Sequence, residues 1–224
     1  MSRAEPDKTE EKSFKAAVKE TVSMVLWALG IALVLRTFLF QPFHIPSGSM
    51  EPNLVKGDYI ITTKYSVGYG RFAASPLPFP VKNGRLFERP LKRGDVLVFK
   101  PEGNPKTFIK RLAGLPGDQV QMIDGILSIN GSPIIMNSPS RTKTGEIWTE
   151  IFPGGTPHLV YDKTKGDVTD NTRSVIVPAG HYFFLGDNRD ESADSRVSVS
   201  NGGAGLVPAV NIIGRAEFVL LSAN

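Results

Sequence analysis

Polar residues dominate the start of the chain, where Arg3, Lys8, Lys12, Lys15 and Lys19 are mixed with Glu5, Asp7, Glu10, Glu11 and Glu20. The pattern changes at residue 21. Thr21 to Phe40 reads TVSMVLWALGIALVLRTFLF, apolar on every face of a helix, with Arg36 as its only charge. As a helix, Val22 to Phe40 would span about 28 Å, close to the hydrocarbon thickness of a bilayer. Arg36 lies near the far end, where its side chain can snorkel to the headgroups. The run is followed by bulky Phe38-Leu39-Phe40-Gln41-Pro42, without the small residues of a cleavage site, so a retained anchor is expected. Basic residues crowd the segment before it, and after Arg36 the next is Lys56. This bias predicts a cytoplasmic N-terminus and places residues beyond 41 across the membrane.

No second apolar run of spanning length follows. Short β-branched or aromatic runs take over: Asp58–Lys64, Asp95–Lys100, Thr107–Leu112, Gln119–Ile123, Ile126–Ile129, Glu146–Phe152, His158–Tyr161, Ser174–Val177, His181–Leu185 and Asn211–Leu221. Asp124-Gly125 and Pro153-Gly154-Gly155 are turn signals between neighbouring runs. A short helical turn is expected near Pro208–Asn211, and loops at Ala73–Pro90 and Val197–Gly205. The pattern predicts an all-β ectodomain with closed or orthogonally packed sheets, tethered by one N-terminal transmembrane helix. Its organisation reads as a cytoplasmic segment at 1–20, an anchor at 21–40 and a β domain at 41–120 and 176–224. The turn-rich stretch 121–175 is inserted as a β-hairpin unit.

Composition narrows the chemistry. The 224 residues include no Cys, which excludes disulfides, Cys-ligated metals and thiol nucleophiles. With 22 Gly and 17 Pro, a long helical bundle is excluded as well. The net charge of +4 is small and scattered, and no nucleic-acid partner is expected. HExxH, P-loop, GxGxxG and GxSxG motifs are absent, so neither a metal nor a cofactor is expected. The acidic cluster Asp187, Asp190, Glu191 and Asp194 lacks the spacing of a calcium loop, and the interleaved Arg189 and Arg196 point to internal ion pairs.

Two segments carry candidate chemistry. Pro46-Ser47-Gly48-Ser49-Met50-Glu51-Pro52 is a constrained turn with two hydroxyls; composition alone favours a polar linker turn. In Thr107–Leu112, strand alternation puts Lys110 on one face with Phe108 and Leu112, and Arg111 on the other. Burial between apolar neighbours lowers an ammonium's pKa, whereas a strand-edge Lys would snorkel to water. Together the segments offer a serine nucleophile with a neutral lysine as its base, a known variant of the Ser-His-Asp arrangement. His44, His158 and His181 are the rival bases. His44 lies near Ser49 in sequence but has no evident orienting carboxylate, and a surface or membrane-interface position is expected for it.

These blocks resemble the bacterial type I signal peptidases, membrane-bound Ser/Lys proteases that remove signal peptides from exported proteins. The resemblance rests on the anchor ending in Arg36-Thr37-Phe38, Phe43–Met50 with Pro52 and Leu54, Arg93–Phe99, Ile109-Lys110-Arg111 with Gly114–Asp118, and Gly186–Arg196. It implies Ser49 as nucleophile, Lys110 as general base, and the Ser47 hydroxyl with the Ser49 N–H as oxyanion hole. Ser192 would orient the Lys110 amine, while Arg111, Asp187, Asp194 and Arg196 would form structural ion pairs. It also implies a fold of coiled antiparallel sheets with an inserted second β domain. A preprotein's signal peptide would add as a strand beside Phe43–Ser47 and Thr107–Lys110. Phe43, Ile45, Met50, Leu54, Val98, Phe108 and Ile109 would wall small pockets selecting Ala-x-Ala. The expected setting is the bacterial inner membrane, with the catalytic domain on the extracytoplasmic side and the bilayer as a partner; the sequence does not give an oligomeric state.

Four departures from the family pattern stand out. Glu191 replaces a usual Asn, Leu206 replaces a usual aromatic, the Val197–Ala204 loop is longer than in many members, and the disulfide of some relatives is missing. Two other readings remain beside the general enzyme: a specialised envelope Ser/Lys peptidase that matures one pilin-like substrate, and a membrane-tethered β module without catalysis.

Overall fold

A computed structural model of the chain describes residues 8–75 and 79–222. Residues 1–7 of the expected cytoplasmic segment, 76–78 of the expected loop and the last two residues lie outside the described residues. Helix α1 (Lys8–Phe38) is 31 residues long, about 46 Å at 1.5 Å per residue. It starts well before residue 21 because Lys, Glu and Ala, all good helix formers, fill the polar approach. Its stretch Lys12–Phe38 is long and apolar enough to cross a membrane, and none of that stretch is buried against the rest of the chain. Trp27 is 73% and Met24 65% exposed, a surface suited to lipid.

The helix is pinned where it ends. Lys64 Nζ donates to the Arg36 carbonyl at 2.7 Å and to the Ala73 carbonyl, and the Tyr69 hydroxyl donates to the Phe38 carbonyl at 2.9 Å. Carbonyls that a helix C-terminus leaves without partners are thus satisfied by the β domain.

The strands in order are β1 (Phe40–His44), β2 (Tyr59–Thr63), β3 (Val96–Phe99), β4 (Phe108–Gly114), β5 (Gln119–Ile123), β6 (Ile126–Ile129) and β7 (Ser132–Pro133). They continue with β8 (Ile135–Thr142), β9 (Gly145–Ile151), β10 (His158–Asp162), β11 (Val175–Ile176), β12 (His181–Leu185), β13 (Val207–Pro208) and β14 (Ile212–Leu221). The pairings are antiparallel and form a seven-stranded sheet ordered β1-β2-β14-β3-β4-β12-β13. A four-stranded sheet, β11-β5-β6-β7, and a three-stranded sheet, β10-β9-β8, come from residues 119–176. The expected short turn appears as a 3-10 turn at Ala209–Asn211.

Strands β1, β7, β8 and β13 have no counterpart among the predicted runs. Both longer ones, β1 and β8, are edge strands that contain a proline. An edge position tolerates the missing N–H, and the register of β8 shifts around Pro139 between Asn137 and Ser140. Neither strand carries the apolar alternation of a half-buried strand.

The core has three parts. The largest gathers Leu97, Phe99, Leu112, Phe184 and Ile212, with Phe99 and Phe184 stacked at 4.4 Å between ring centroids. A second, around Met122, Leu127, Phe152 and Leu185, joins the small sheets to the large one. The third, Ile45, Ile60, Val98 and Ile213, lies beneath the groove between β1 and β4.

Candidate active site

Ser49 follows β1 in a tight turn, in which Glu51 N donates to the Gly48 carbonyl at 3.0 Å and Leu54 N to the Met50 carbonyl at 2.9 Å. Lys110 is the third residue of β4, paired across the sheet with Leu97. Its face-mates Phe108 and Leu112 pack on the largest core cluster, while Ile109 packs on the Ile45–Val98 cluster, as strand alternation requires. Ser49 and Lys110 are both buried, 6% and 4% exposed. Lys110 Nζ lies 2.5 Å from Ser49 Oγ and 3.0 Å from the Ile109 carbonyl, with its nitrogen 5.8 Å from the Phe108 ring centroid.

Burial disfavours the ammonium form and lowers the Lys110 pKa to about 8; Asp194 and Asp187 oppose the shift, and Arg196 adds to it. At pH 7 a pKa of about 8 leaves about one Lys110 in ten neutral, against about one in three thousand at the ordinary value. The amine can therefore accept the serine proton under mild conditions.

Ser47 is exposed, and its Oγ lies 3.4 Å from Ser49 Oγ. Arg111 makes a bidentate pair with Asp187 (2.7 and 2.6 Å), and Arg196 pairs with Asp194 at 2.9 Å. Burial alone would raise the Asp194 carboxyl, but the Arg196 guanidinium and the Gly186 and Arg196 N–H groups hold it below the usual range. The hydrogen bond expected from Ser192 to the Lys110 amine is not among those formed. Ser192 Oγ is buried without a partner among the described residues, while the amine is engaged by Ser49 and the Ile109 carbonyl. Ser192 sits against Gly186, where any side chain would overlap it and come within 2.6 Å of the Ser49 carbonyl oxygen. Glycine is what lets the 186–192 segment lie this close to the Ser49 backbone.

A cavity of about 180 Å³ opens between β1 and β4, lined by Phe43, His44, Ile45, Pro46, Ile60, Val98, Thr107, Phe108 and Ile109. Met50 and Leu54, expected as walls of the small pockets, lie outside this cavity. Met50 is fully buried, and the turn closed at its carbonyl directs Leu54 into a separate cavity with Asn53, Val96 and Arg111. A larger cavity of about 550 Å³, bordered by Trp148 and Asp162, lies between the small sheets and includes none of these residues. His44 is exposed and leans on Tyr59 at 5.0 Å between ring centroids. The His181 ring contacts the Ala179 carbonyl through Nδ1 at 3.1 Å.

A buried group that no sequence pattern announces joins 145–162 to the 186–192 segment. Glu150 accepts from Arg189 at 2.6 Å and contacts His158 at 3.0 Å. Burial would raise its carboxyl, but the Arg189 guanidinium and His158 outweigh this and hold it at about 2. A charged residue between Thr149 and Ile151 was the one available signal; its partner lies 39 positions away.

Comparison with known proteins now fixes the relationship. The profile of the signal peptidase, peptidase S26 family matches residues 18–221. The chain belongs to that family. A signal peptidase I of Rickettsia typhi (strain ATCC VR-144 / Wilmington) is 39% identical over 92% of this chain and 81% of its own. One of Rickettsia conorii (strain ATCC VR-613 / Malish 7) is 37% identical over 97% and 85%. The crystal structure of a signal peptidase I from Enterococcus faecalis V583 is 26% identical and covers 59% of this chain and 98% of its own. Its TM-score of 0.36 is too loose for comparing sites. In this member of the peptidase S26 family, Glu191 turns away from Lys110 to pair with Lys163 at 2.7 Å.

Proposed function

We propose that the chain is a membrane-anchored serine endopeptidase that removes N-terminal signal peptides from exported preproteins. The observation that carries this reading is the buried 2.5 Å contact between Ser49 Oγ and Lys110 Nζ, within a family of signal peptidases. Neutral Lys110 takes the Ser49 proton as Oγ attacks the scissile carbonyl. The Ser49 N–H and the Ser47 hydroxyl donate to the oxyanion. As the tetrahedral intermediate collapses, the Lys110 ammonium returns its proton to the leaving amine, and the signal peptide stays esterified to Ser49. Water, deprotonated by Lys110, then releases it.

Two strand edges favour a peptide in this position. β1 ends the large sheet, so its outer edge is unpaired, and β4 pairs with β12 only from Arg111 onward, leaving 108–110 open on that side. A peptide entering between them would gain main-chain hydrogen bonds by strand addition. The 180 Å³ cavity there, with Ile45 and Val98 in its walls, suits small side chains such as those of Ala-x-Ala. Basic residues before the anchor favour a cytoplasmic N-terminus in a bacterial inner membrane, with Ser49 on the extracytoplasmic side.

The test is cleavage of a purified preprotein with an Ala-x-Ala site by the full chain in detergent, with the product's new N-terminus read by mass spectrometry. A single cut after that site supports the assignment. No cut by a folded protein would favour a binding module, and cleavage of pilin-like substrates alone would favour the specialised peptidase.

A further inference from the structure

The 187–189 segment touches the nucleophile's backbone from behind. Asn188, fully buried, donates its main-chain N–H to the Ser49 carbonyl at 3.2 Å and its Nδ2 to the Gly48 carbonyl at 3.1 Å. The Gly48 carbonyl and the Ser49 N–H belong to one planar trans peptide and point in opposite directions. Fixing that carbonyl therefore fixes where the Ser49 N–H aims, and among the described residues no hydrogen bond uses that N–H.

Asn188 is itself held from the far side by β10. Tyr161 N donates to the Asp187 carbonyl and Arg189 N to the Tyr161 carbonyl, both at 2.8 Å. Lys163 N donates to Asp190 Oδ2 at 2.6 Å, and the Glu150–Arg189 pair anchors the base of the segment. We infer that Asn188 is a positioning residue for the oxyanion hole, aiming the Ser49 N–H through the Gly48 carbonyl, and that β10 braces it in place. The inference rests on the peptidase reading above and gives the small β10-β9-β8 sheet a part in catalysis although none of its residues reaches the scissile bond.

Glu51 N also donates to the Gly48 carbonyl, so loss of Asn188 Nδ2 should tilt the peptide rather than free it. Removing an oxyanion donor outright costs about a hundredfold to a thousandfold, so mis-aiming one should cost about tenfold. Asn188→Leu keeps the main-chain bonds and much of the volume but lacks the donor; Asn188→Ser is too short to reach. Full-length variants in detergent would be compared with wild type on a preprotein. They would also be compared on two peptide inhibitors, an aldehyde that adds Ser49 to give an oxyanion and the corresponding alcohol, which cannot.

The expected result is a fall in kcat of fivefold or more with KM within twofold. Aldehyde affinity should fall by about the same factor while alcohol affinity is unchanged. A smaller fall in kcat, an equal loss of alcohol affinity, or failure of both variants to fold would overturn the assignment. Wild type that neither cleaves nor binds the aldehyde would remove the peptidase reading, and the assignment with it.

Discussion

Ser49 Oγ and Lys110 Nζ, 61 residues apart in the chain, meet at 2.5 Å in a contact shielded from water on all but a few per cent of either residue's surface. The meeting depends on the large sheet bringing β1 and β4 to the two sides of one groove, with Ile45 and Val98 beneath it. Because burial holds Lys110 near pKa 8, kcat/KM should rise about tenfold per pH unit below pH 8 and level off above it. A pH profile with chemistry shown to be limiting checks this. A flat profile from pH 6 to 8 would rule out lysine as the base.

The same burial has a stability consequence. Native Lys110 releases its proton near pH 8, whereas an unfolded lysine holds it to about 10.5, so stability should rise with pH between those values. Below pH 8 the native state carries the full penalty, about 3 kcal/mol for a shift of this size. Lys110→Met removes the charge and the two hydrogen bonds together. It should therefore be inactive yet more stable at pH 7 by about 1–3 kcal/mol, with the difference shrinking as pH rises through 8 to 10.5. Thermal unfolding in detergent at several pH values measures it.

Ser47 offers a test of the second oxyanion donor. Ser47→Ala should lower kcat about a hundredfold with little change in KM, since the hydroxyl matters only once charge develops on the carbonyl oxygen. Ser47→Thr, which restores a hydroxyl, should recover most of the loss. Steady-state kinetics on one preprotein separates these outcomes.

Glu150 supplies a prediction about the brace. Glu150→Gln leaves Arg189 buried without its counter-charge and should cost about 3–5 kcal/mol at neutral pH. The wild-type pairing is fully in force above the ordinary carboxyl value of 4.5 and is lost as pH falls toward 2, so the two proteins should converge in stability over that window. Unfolding midpoints measured from pH 7 downward test both the size and the window.

The extent to which the chain could be read without its structure follows from where each signal resides. The anchor is visible because twenty consecutive positions carry one message, although its polar approach, whose helicity rests on propensity alone, is not. Strands such as β5 and β6 announce themselves by alternation and a tight Asp-Gly turn. The edge strands β1 and β8 do not, since an edge can absorb a proline and polar residues. Ser49 and Lys110 are legible through their neighbours: a constrained turn for one, apolar face-mates for the other. That Met50 is buried and Leu54 lines a cavity apart from the 180 Å³ one is not legible, because proximity in sequence does not reveal how a turn rotates its side chains. Asn188 and Glu150 are invisible to sequence reasoning for a related reason. Each acts on a backbone or a charge more than 35 positions away, and only the folded chain brings them together.

Single-turnover cleavage of a preprotein at pH 8 by wild type, Ser49→Ala and Lys110→Ala, each shown to be folded, tests whether Ser49 and Lys110 carry the chemistry. Wild type should cleave, and either variant should lose at least about a thousandfold. Retention of near wild-type cleavage by Ser49→Ala or by Lys110→Ala would contradict this assignment.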